Sequence, residues 1–382
     1  MNKRIAAALA LALMAGGCGT GSRVSSPQSP PPSAHHHFTW IDMLFAHAGW
    51  ALGADGATVY RTSDGASWKT VSRFRNVPAV GAGATLCALS PEDAWYLFAE
   101  SGTEIGLYHT VDGGGHWTYQ TIPFAYMAGQ EGPDPLVGPF SLSFSSPSDG
   151  WLLAVPAHGM SSEPGVLYRT HDGGRSWQAI ATTEPGPGPQ NLPFGGEISF
   201  TSAAQGWLVG SYTADTPRLL YRTQDGGRSW TPVSFPVHQD PLLGVEAPPV
   251  FSGRLGALPV QFQNGYAEVY TSSDSGAVWQ DSRGERAPNT QVSAQMDIVA
   301  LKPELVAVFY SAYRNDISRT KGNTWTDVGR VPSRYLAPGM QVTEVDFVSA
   351  LDGWLVIQDA YAGMRPPILL RTQDGGRTWF QG

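Results

Sequence analysis

Cysteine is almost absent from this chain: Cys18 and Cys87 are the two examples in 382 residues. Two thiols cannot build the disulfide framework on which small secreted domains rely, so stability has to come from apolar burial. Cations are also short, with 24 Lys and Arg facing 32 Asp and Glu. That balance offers no electrostatic footprint for nucleic acid or an anionic lipid surface, and no nucleic-acid partner is expected. The apolar run Ile5 to Ala15 is too short to count as a stable spanning helix. Long amphipathic patterns of helical period are missing, which argues against a helical bundle.

Signatures of a catalytic or metal centre are missing as well. There is no His-Glu-x-x-His, no cysteine pair for zinc and no EF-hand spacing. Gly113-Gly114-Gly115 lacks the Lys-Ser/Thr that completes a phosphate loop. Of nine histidines, His35, His36 and His37 end a solvated stretch, and His109, His116 and His171 sit in or beside a repeated motif. No metal and no cofactor are therefore expected.

Glycine, proline and tryptophan are plentiful, at 45, 30 and 13 residues. The first two suit short strands joined by turns, and a repeat accounts for the third. The pattern Thr/Ser-x-Asp-x-Gly-x-x-Trp occurs at Thr110 to Trp117, Thr170 to Trp177, Thr223 to Trp230, Ser272 to Trp279 and Thr372 to Trp379. Thr62 to Trp68 is a copy one residue short. Ser318 to Trp325 is a copy with Thr320 in place of the aspartate. The seven starts are 48, 60, 53, 49, 46 and 54 residues apart, a period that calls for stacked or radial supersecondary units. Within each copy the aspartate (Asp64, Asp112, Asp172, Asp225, Asp274 and Asp374) is placed to accept backbone N–H groups of a tight turn. Glycine supplies positive φ, and the closing tryptophan is a wedge between sheets.

The motif resembles the Asp box of sialidase-like, BNR-repeat propellers. It implies an all-β fold: a seven-bladed β-propeller of four-stranded antiparallel blades over residues 38–382. The last unit gives the order of strands: Val342 to Val348, Gly353 to Ile357, Ile368 to Arg371, the box, and a fourth strand from Trp379. Seven tryptophans close boxes (Trp68, Trp117, Trp177, Trp230, Trp279, Trp325 and Trp379), and five open second strands (Trp50, Trp95, Trp151, Trp207 and Trp354). Trp40 falls in the first innermost strand. Tryptophan enrichment thus signals blade packing and gives no warrant for sugar stacking. In unit five Ala257 takes the second-strand tryptophan position, and in unit six the Glu304-Leu305-Val306 region does. Blade seven is expected to close on blade one by side-chain packing, without a long strand exchange.

Ahead of the propeller, Met1-Asn2-Lys3-Arg4 and the apolar run form an export signal. Met14-Ala15-Gly16-Gly17-Cys18 resembles the lipobox of bacterial lipoproteins, with Ala15 where leucine is usual. The resemblance implies a signal peptide over 1–17, a lipidated Cys18, and a membrane anchor on the extracytoplasmic side. Residues 18–37, rich in Pro, Ser and His, then form an extended tether. Loss of Lys3 and Arg4 leaves 22 basic against 32 acidic residues, a net charge near −10. Cys87, left alone in the apolar run Thr85 to Leu89, is expected to be a buried thiol.

Topology also says where binding belongs. The boxes share one face with the first-to-second turns, while the opposite face carries the second-to-third loops and the connections between blades. The long loops fall there: 124–139, 157–165, 182–195, 236–246, 283–291, 331–341 and 359–367. Their candidate binding residues are Tyr126, His158, His238, Arg286, Arg334, Tyr335, Tyr361 and Arg365, since Arg and Tyr are favoured interface anchors.

Sialidase-like catalysis would need an arginine cluster, a tyrosine nucleophile with a glutamate partner, and an acid. Phe74-Arg75-Asn76-Val77-Pro78 has one residue more than the family's Phe-Arg-x-Pro signature and follows the first box instead of preceding it. Arg61, Arg169, Arg222 and Arg371 occupy one repeat position in third strands. No catalytic residue is assigned.

The chain is also similar to exported propellers of the photosystem II assembly and stability factor type. There, Asp-Gly-Trp strands (here Asp149-Gly150-Trp151 and Asp352-Gly353-Trp354) alternate with Arg-Thr-x-Asp-Gly-Gly-x-x-Trp boxes (here Arg169 to Trp177, Arg222 to Trp230 and Arg371 to Trp379). That resemblance implies a non-enzymatic protein that holds polypeptide partners during assembly. The negative charge departs from the family's arginine-rich face. The expected partner is a protein or peptide of the cell envelope. The alternative is a carbohydrate-active enzyme or glycan-binding module.

Overall fold

Short apolar segments punctuated by Asp-Gly turns fold into antiparallel strands, because each segment is too short for a helix; the segments Ala48–Gly53, Gly150–Ala154 and Val166–Thr170 are buried at every residue. The computed structural model describes residues 37–75, 77, 84–124, 140–155, 165–183, 192–211, 219–234, 236, 242–245, 247–262, 267–281, 295–300, 305–311, 316–321, 324–359 and 365–382.

The first sheet is β1 (Phe38–Phe45), β2 (Ala48–Gly53), β3 (Thr58–Thr62) and β4 (Trp68–Arg73). The second is β5 (Thr85–Ala88), β6 (Ala94–Ser101), β7 (Glu104–Thr110) and β8 (Thr118–Pro123). The third holds β9 (Phe140–Phe144), β10 (Gly150–Ala154), β11 (Val166–Thr170) and β12 (Gln178–Thr182), and the fourth β13 (Phe194–Phe200), β14 (Gly206–Ser211), β15 (Leu219–Thr223) and β16 (Thr231–Pro232). Then come β17 (Leu242–Val245), β18 (Val250–Ser252), β19 (Leu255–Phe262), β20 (Ala267–Ser272) and β21 (Gln280–Asp281). The next sheet is β22 (Gln295–Ala300), β23 (Leu305–Ser311), β24 (Asp316–Lys321) and β25 (Thr324–Arg330). After a 3-10 turn, η1 (Ser333–Tyr335), the last sheet is β26 (Met340–Phe347), β27 (Gly353–Asp359), β28 (Ile368–Thr372) and β29 (Phe380–Gln381).

The chain is thus an all-β propeller of four-stranded antiparallel blades, with six four-stranded sheets and one of five strands among the described residues. The odd sheet has a local cause. Both β17 and β18 pair with β19, at Val245↔Val260 and Val250↔Ala257, and Pro248-Pro249 lies between them. Proline brings no N–H to a ladder, so the inner edge breaks there and resumes. Ala257 faces Thr271, in register with the Trp–Arg pairs of other sheets, and so stands at the second-strand tryptophan position.

Five tryptophans sit at that position, and Trp50, Trp95, Trp151, Trp207 and Trp354 are fully buried. Four of them also reach the next sheet. Trp95 Nε1 donates to Gly173 O at 3.0 Å, Trp151 to Gly226 O at 2.8 Å, Trp354 to Gly65 O at 3.3 Å and Trp50 to Ser90 O at 3.2 Å. A ring of this size contributes about 2–3 kcal/mol by burial, and the N–H then finds its partner across the seam. The third-strand arginine opposite stacks on the indole, with Arg169 Cζ 4.8 Å from the Trp151 ring and Arg371 Cζ 5.3 Å from Trp354. Each then bonds the neighbouring sheet, Arg169 Nη2 to Ala203 O at 2.8 Å and Arg371 Nη2 to Ala46 O at 3.4 Å.

The turns between third and fourth strands repeat one hydrogen-bond set. In the fourth sheet Thr223 Oγ1 donates to Asp225 Oδ1 at 2.8 Å while accepting Gly227 N at 2.9 Å. Ser229 N donates to Asp225 Oδ1 at 2.9 Å. Gly226 and Gly227 have φ of +73° and +94°, which glycine adopts without penalty. Equivalent bonds surround Asp64, Asp112, Asp172, Asp274 and Asp374. Burial acts to raise Asp64 and Asp172, but the backbone and hydroxyl donors outweigh it and hold both at about 2. In the sixth sheet the expected copy at Ser318 to Trp325 is a plain hairpin. The strands pair out to Lys321↔Thr324, and Trp325 lies within β25 opposite Thr320. Without an aspartate to collect the turn's N–H groups, the ladder continues instead.

A further set of bonds, which the repeat did not announce, joins innermost strands. Ser143 Oγ of β9 accepts Phe200 N of β13 at 2.9 Å, and Ser141 Oγ accepts Ile198 N at 3.0 Å. Asp346 Oδ2 of β26 accepts Met43 N of β1 at 2.6 Å. The last bond crosses between the two ends of the propeller. Around it Phe38, Ile41, Met43, Ala51, Trp68, Trp354, Val356 and Leu369 form one buried cluster. Strands β1 and β29 each stay in their own sheet, so this seam is held by side chains. Cys87 is a free thiol, half-buried instead of fully enclosed; desolvation and then the Asp42 and Asp93 carboxylates push its pKa up.

Candidate functional site

The connection from β25 to β26 is short enough to be built against the core. Val331 is buried, Pro332 opens η1, and Tyr335 N and Leu336 N close on Pro332 O and Ser333 O at 3.0 Å each. Tyr335, Leu336 and Met340 pack on the cluster of Val342, Leu355, Ile357 and Leu370. This turn presents Arg334 to solvent beside Tyr335. Arg334 Cζ lies 4.6 Å from the Tyr335 ring centroid, and its Nη2 is 3.3 Å from Tyr335 Oη.

Arg365, at the end of the loop between β27 and β28, arrives at the same place. Its Nη1 donates to Pro338 O at 2.8 Å, tying that loop to the inter-blade connection. His37, just before β1, completes the third side, with Nδ1 3.2 Å from Pro367 O. Between them lies a pocket of about 480 Å³, whose floor is Ala337, Met340, Ile368 and Leu369. No Asp or Glu side chain lines it among the described residues. Arg334 and Arg365 are its two cationic lining side chains; Ala337, Met340, Ile368 and Leu369 give it aliphatic surface, and Gln381 and Gly382 close its remaining edge.

Of the residues expected on the long-loop face, Arg334, Tyr335 and Arg365 therefore meet at one pocket. Tyr126, His158, His238, Arg286, Tyr361 and the lipidation candidate Cys18 lie outside the described residues. Sequence reasoning missed His37, read as linker, and the floor from Met340, Ile368 and Leu369. The doublet Pro366-Pro367, which fixes how the chain enters β28, was the available signal.

A smaller cavity of about 300 Å³ opens on the face of the repeated turns, beside Tyr119, His116 and Gln120. Its polar groups already serve the fold: Asp112 Oδ2 lies 2.6 Å from His116 Nδ1, and the Gln120 amide bonds Gly174 O. Burial, then the Glu100 carboxylate, pushes the Tyr119 phenol up to about 12. Among the described residues no group of three or more His, Cys, Asp or Glu could hold a metal ion, and no helix is long and apolar enough to cross a membrane.

No family model matches the chain. It is 25% identical over 293 residues to the chloroplastic photosystem II stability/assembly factor of Arabidopsis thaliana, covering 73% of this chain and 62% of that one. The match thus spans about three fifths of that relative. A sequence of Neosartorya fischeri named for an oligoxyloglucan-reducing end-specific xyloglucanase is 26% identical over 233 residues, which is 60% of this chain and 25% of its own length. Among solved structures, an ancestral GH74 enzyme superposes with a TM-score of 0.51 at 13% identity, over 92% of this chain and 55% of the other. At that identity the superposition speaks for the fold alone. In fold the chain is an all-β propeller, and in sequence it is similar to the photosystem II stability/assembly factors.

Proposed function

We propose that this chain is a lipid-anchored, extracytoplasmic propeller that binds a protein or peptide partner of the cell envelope through its long-loop face, as a non-enzymatic assembly scaffold. In this reading it has seven blades, the five-stranded sheet being a four-stranded blade whose inner strand is broken at Pro248-Pro249, and its repeated turns are Asp boxes. Residues 1–17 are the signal peptide, Cys18 carries the lipid, and 18–37 is the tether. The observation that carries the binding role is the convergence of Arg334, Tyr335 and Arg365 over an aliphatic floor. Arg and Tyr over a desolvated floor are the composition of an interface anchor. The likeness to a stability/assembly factor points the same way.

The test is photocrosslinking from Ser333 of the full chain in its native membranes, with mass spectrometry of the adducts. One or a few proteins captured from Ser333, and not from Lys69 on β4, are expected. Equal capture from both positions, or no specific protein, overturns the reading.

The second reading, a carbohydrate-active enzyme or glycan-binding module of the envelope, draws on the likeness to a xyloglucanase sequence. Glycoside hydrolysis needs a pair of carboxyl groups about 5–9.5 Å apart. The described lining of this pocket supplies none. Release of reducing sugar from envelope polysaccharides by the purified chain would favour it.

A further inference from the structure

The chain is acidic, with a formal charge of −8, yet the pocket beside η1 gathers Arg334, Arg365 and His37 around an aliphatic floor. Local charge opposite to the net charge selects a ligand instead of merely solvating a surface. We propose that this pocket takes an acidic, aliphatic segment of a partner polypeptide. A side-chain carboxylate sits between Arg334 and Arg365, and a neighbouring aliphatic side chain rests on Met340, Ile368 and Leu369. This rests on the reading that the long-loop face binds protein.

Three features favour that occupant. A guanidinium has five donor N–H groups in a planar fork, and Pro338 O takes one from Arg365. Both cations are positioned before any ligand arrives, Arg365 by that bond and Arg334 by the Tyr335 ring, so little side-chain entropy is lost on binding. The floor rewards an aliphatic group next to the carboxylate, which a polyuronate does not carry. An anionic bilayer would have to approach against the chain's net charge. The volume, about 480 Å³, falls in the range of small-ligand sites.

The experiment is fluorescence anisotropy on the full chain with a labelled, capped Gly-Leu-Glu-Leu-Glu-Gly peptide, its Lys-for-Glu counterpart, polygalacturonate and vesicles with anionic lipid as competitors. The acidic peptide is expected to bind and the basic one not. The Arg334→Gln/Arg365→Gln variant is expected to lose about tenfold or more in affinity, because charge-assisted contacts are removed, while its circular dichroism spectrum shows the fold retained. Arg334→Lys/Arg365→Lys, which keeps charge and loses the fork, is expected to fall in between. No binding of the acidic peptide, equal binding of both peptides, an unaffected double variant, or displacement by polygalacturonate or vesicles ahead of unlabelled peptide overturns the assignment. The Ser333 adducts separate this from the broader reading: if the double variant still captures the same protein, the pocket assignment fails and the scaffold reading stands.

Discussion

Asp172 offers the sharpest test of how the repeated turns hold this fold. Its Oδ1 accepts Thr170 Oγ1 at 2.8 Å and Ser176 N at 2.9 Å, and its Oδ2 accepts Ser176 Oγ at 2.6 Å. Desolvation opposes ionisation, but these donors prevail and hold the carboxyl at about 2 against 3.8. A folded pKa below the unfolded one contributes stability that is fully present above about 4 and is lost as pH falls through about 2. A fully shielded group with that difference would contribute about 2.5 kcal/mol. The turn is on the rim and water screens it, so ~1–1.5 kcal/mol is expected for the charge and about 2 kcal/mol for Asp172→Ala, which also removes the acceptor. Urea unfolding followed by far-ultraviolet circular dichroism at pH 7, 5, 3 and 2 measures it. Asp172→Asn should trail the parent by ~1 kcal/mol at pH 7 and 5, and the two should converge toward pH 2. A gap that persists at pH 2, or none at pH 7, refutes the account of the turn.

Other outcomes follow from the same contacts. Asp346→Ala removes the buried acceptor of Met43 N and should cost about 2–3 kcal/mol, with amide exchange accelerating first in β1 and β26; uniform acceleration across all sheets would contradict a seam role. Trp151→Phe loses the bond to Gly226 O and part of the stacking with Arg169, a loss of about 2 kcal/mol in thermal or urea unfolding; a change under ~0.5 kcal/mol would leave the seam without its proposed pin. Ser275 holds φ at +63° where other turns have glycine, so Ser275→Gly should raise stability by about 0.5–1 kcal/mol, and a destabilised variant would mean that backbone is not strained. Cys18→Ser should abolish lipid labelling and release the chain from membranes; unchanged labelling removes the anchor.

The fold was legible because it is written several times over. The spacing of Asp225 from Trp230 sets a turn, and the alternation around Trp354 sets a strand, which the structure places at Gly353–Asp359. Breaks in the pattern were harder to read. Pro248-Pro249 splits an inner strand, and proline content alone does not say which strand loses its ladder. Thr320 in the aspartate position was visible, but not that the hairpin would then run straight to Lys321 and Thr324. Asp346, Ser143 and Ser141 carry no local motif, since each matters only through the N–H of a neighbouring blade. The candidate site divides in the same way. Arg334, Tyr335 and Arg365 could be nominated from residue type and loop position. Their meeting with His37, whose bonded partner Pro367 is 330 residues away in sequence, depends on ring closure.

Ring closure also explains why a pocket belongs at this seam. From the first sheet to the fourth, a second-strand tryptophan bonds each sheet to its successor: Trp50 to Ser90 O, Trp95 to Gly173 O and Trp151 to Gly226 O. Here the last sheet must find the first, and side chains help to make the connection: Asp346 on Met43 N, Trp354 on Gly65 O, Gln358 on Thr39 O and Arg371 on Ala46 O. Along the stretch from Arg365 to Ile368 the contact to the start of β1 is His37 Nδ1, 3.2 Å from Pro367 O. The groups at that corner line a pocket instead of packing into it. The same corner is where residues 1–36 join the propeller, at His37. With Cys18 in a membrane, an extended tether of residues 19–36 would keep the pocket within about 60 Å of the lipid surface. A flexible chain would hold it nearer and raise the effective concentration of any membrane-proximal segment there. A polypeptide partner with an acidic, aliphatic stretch close to the bilayer would then meet the pocket without the acidic body of the propeller having to approach an anionic surface.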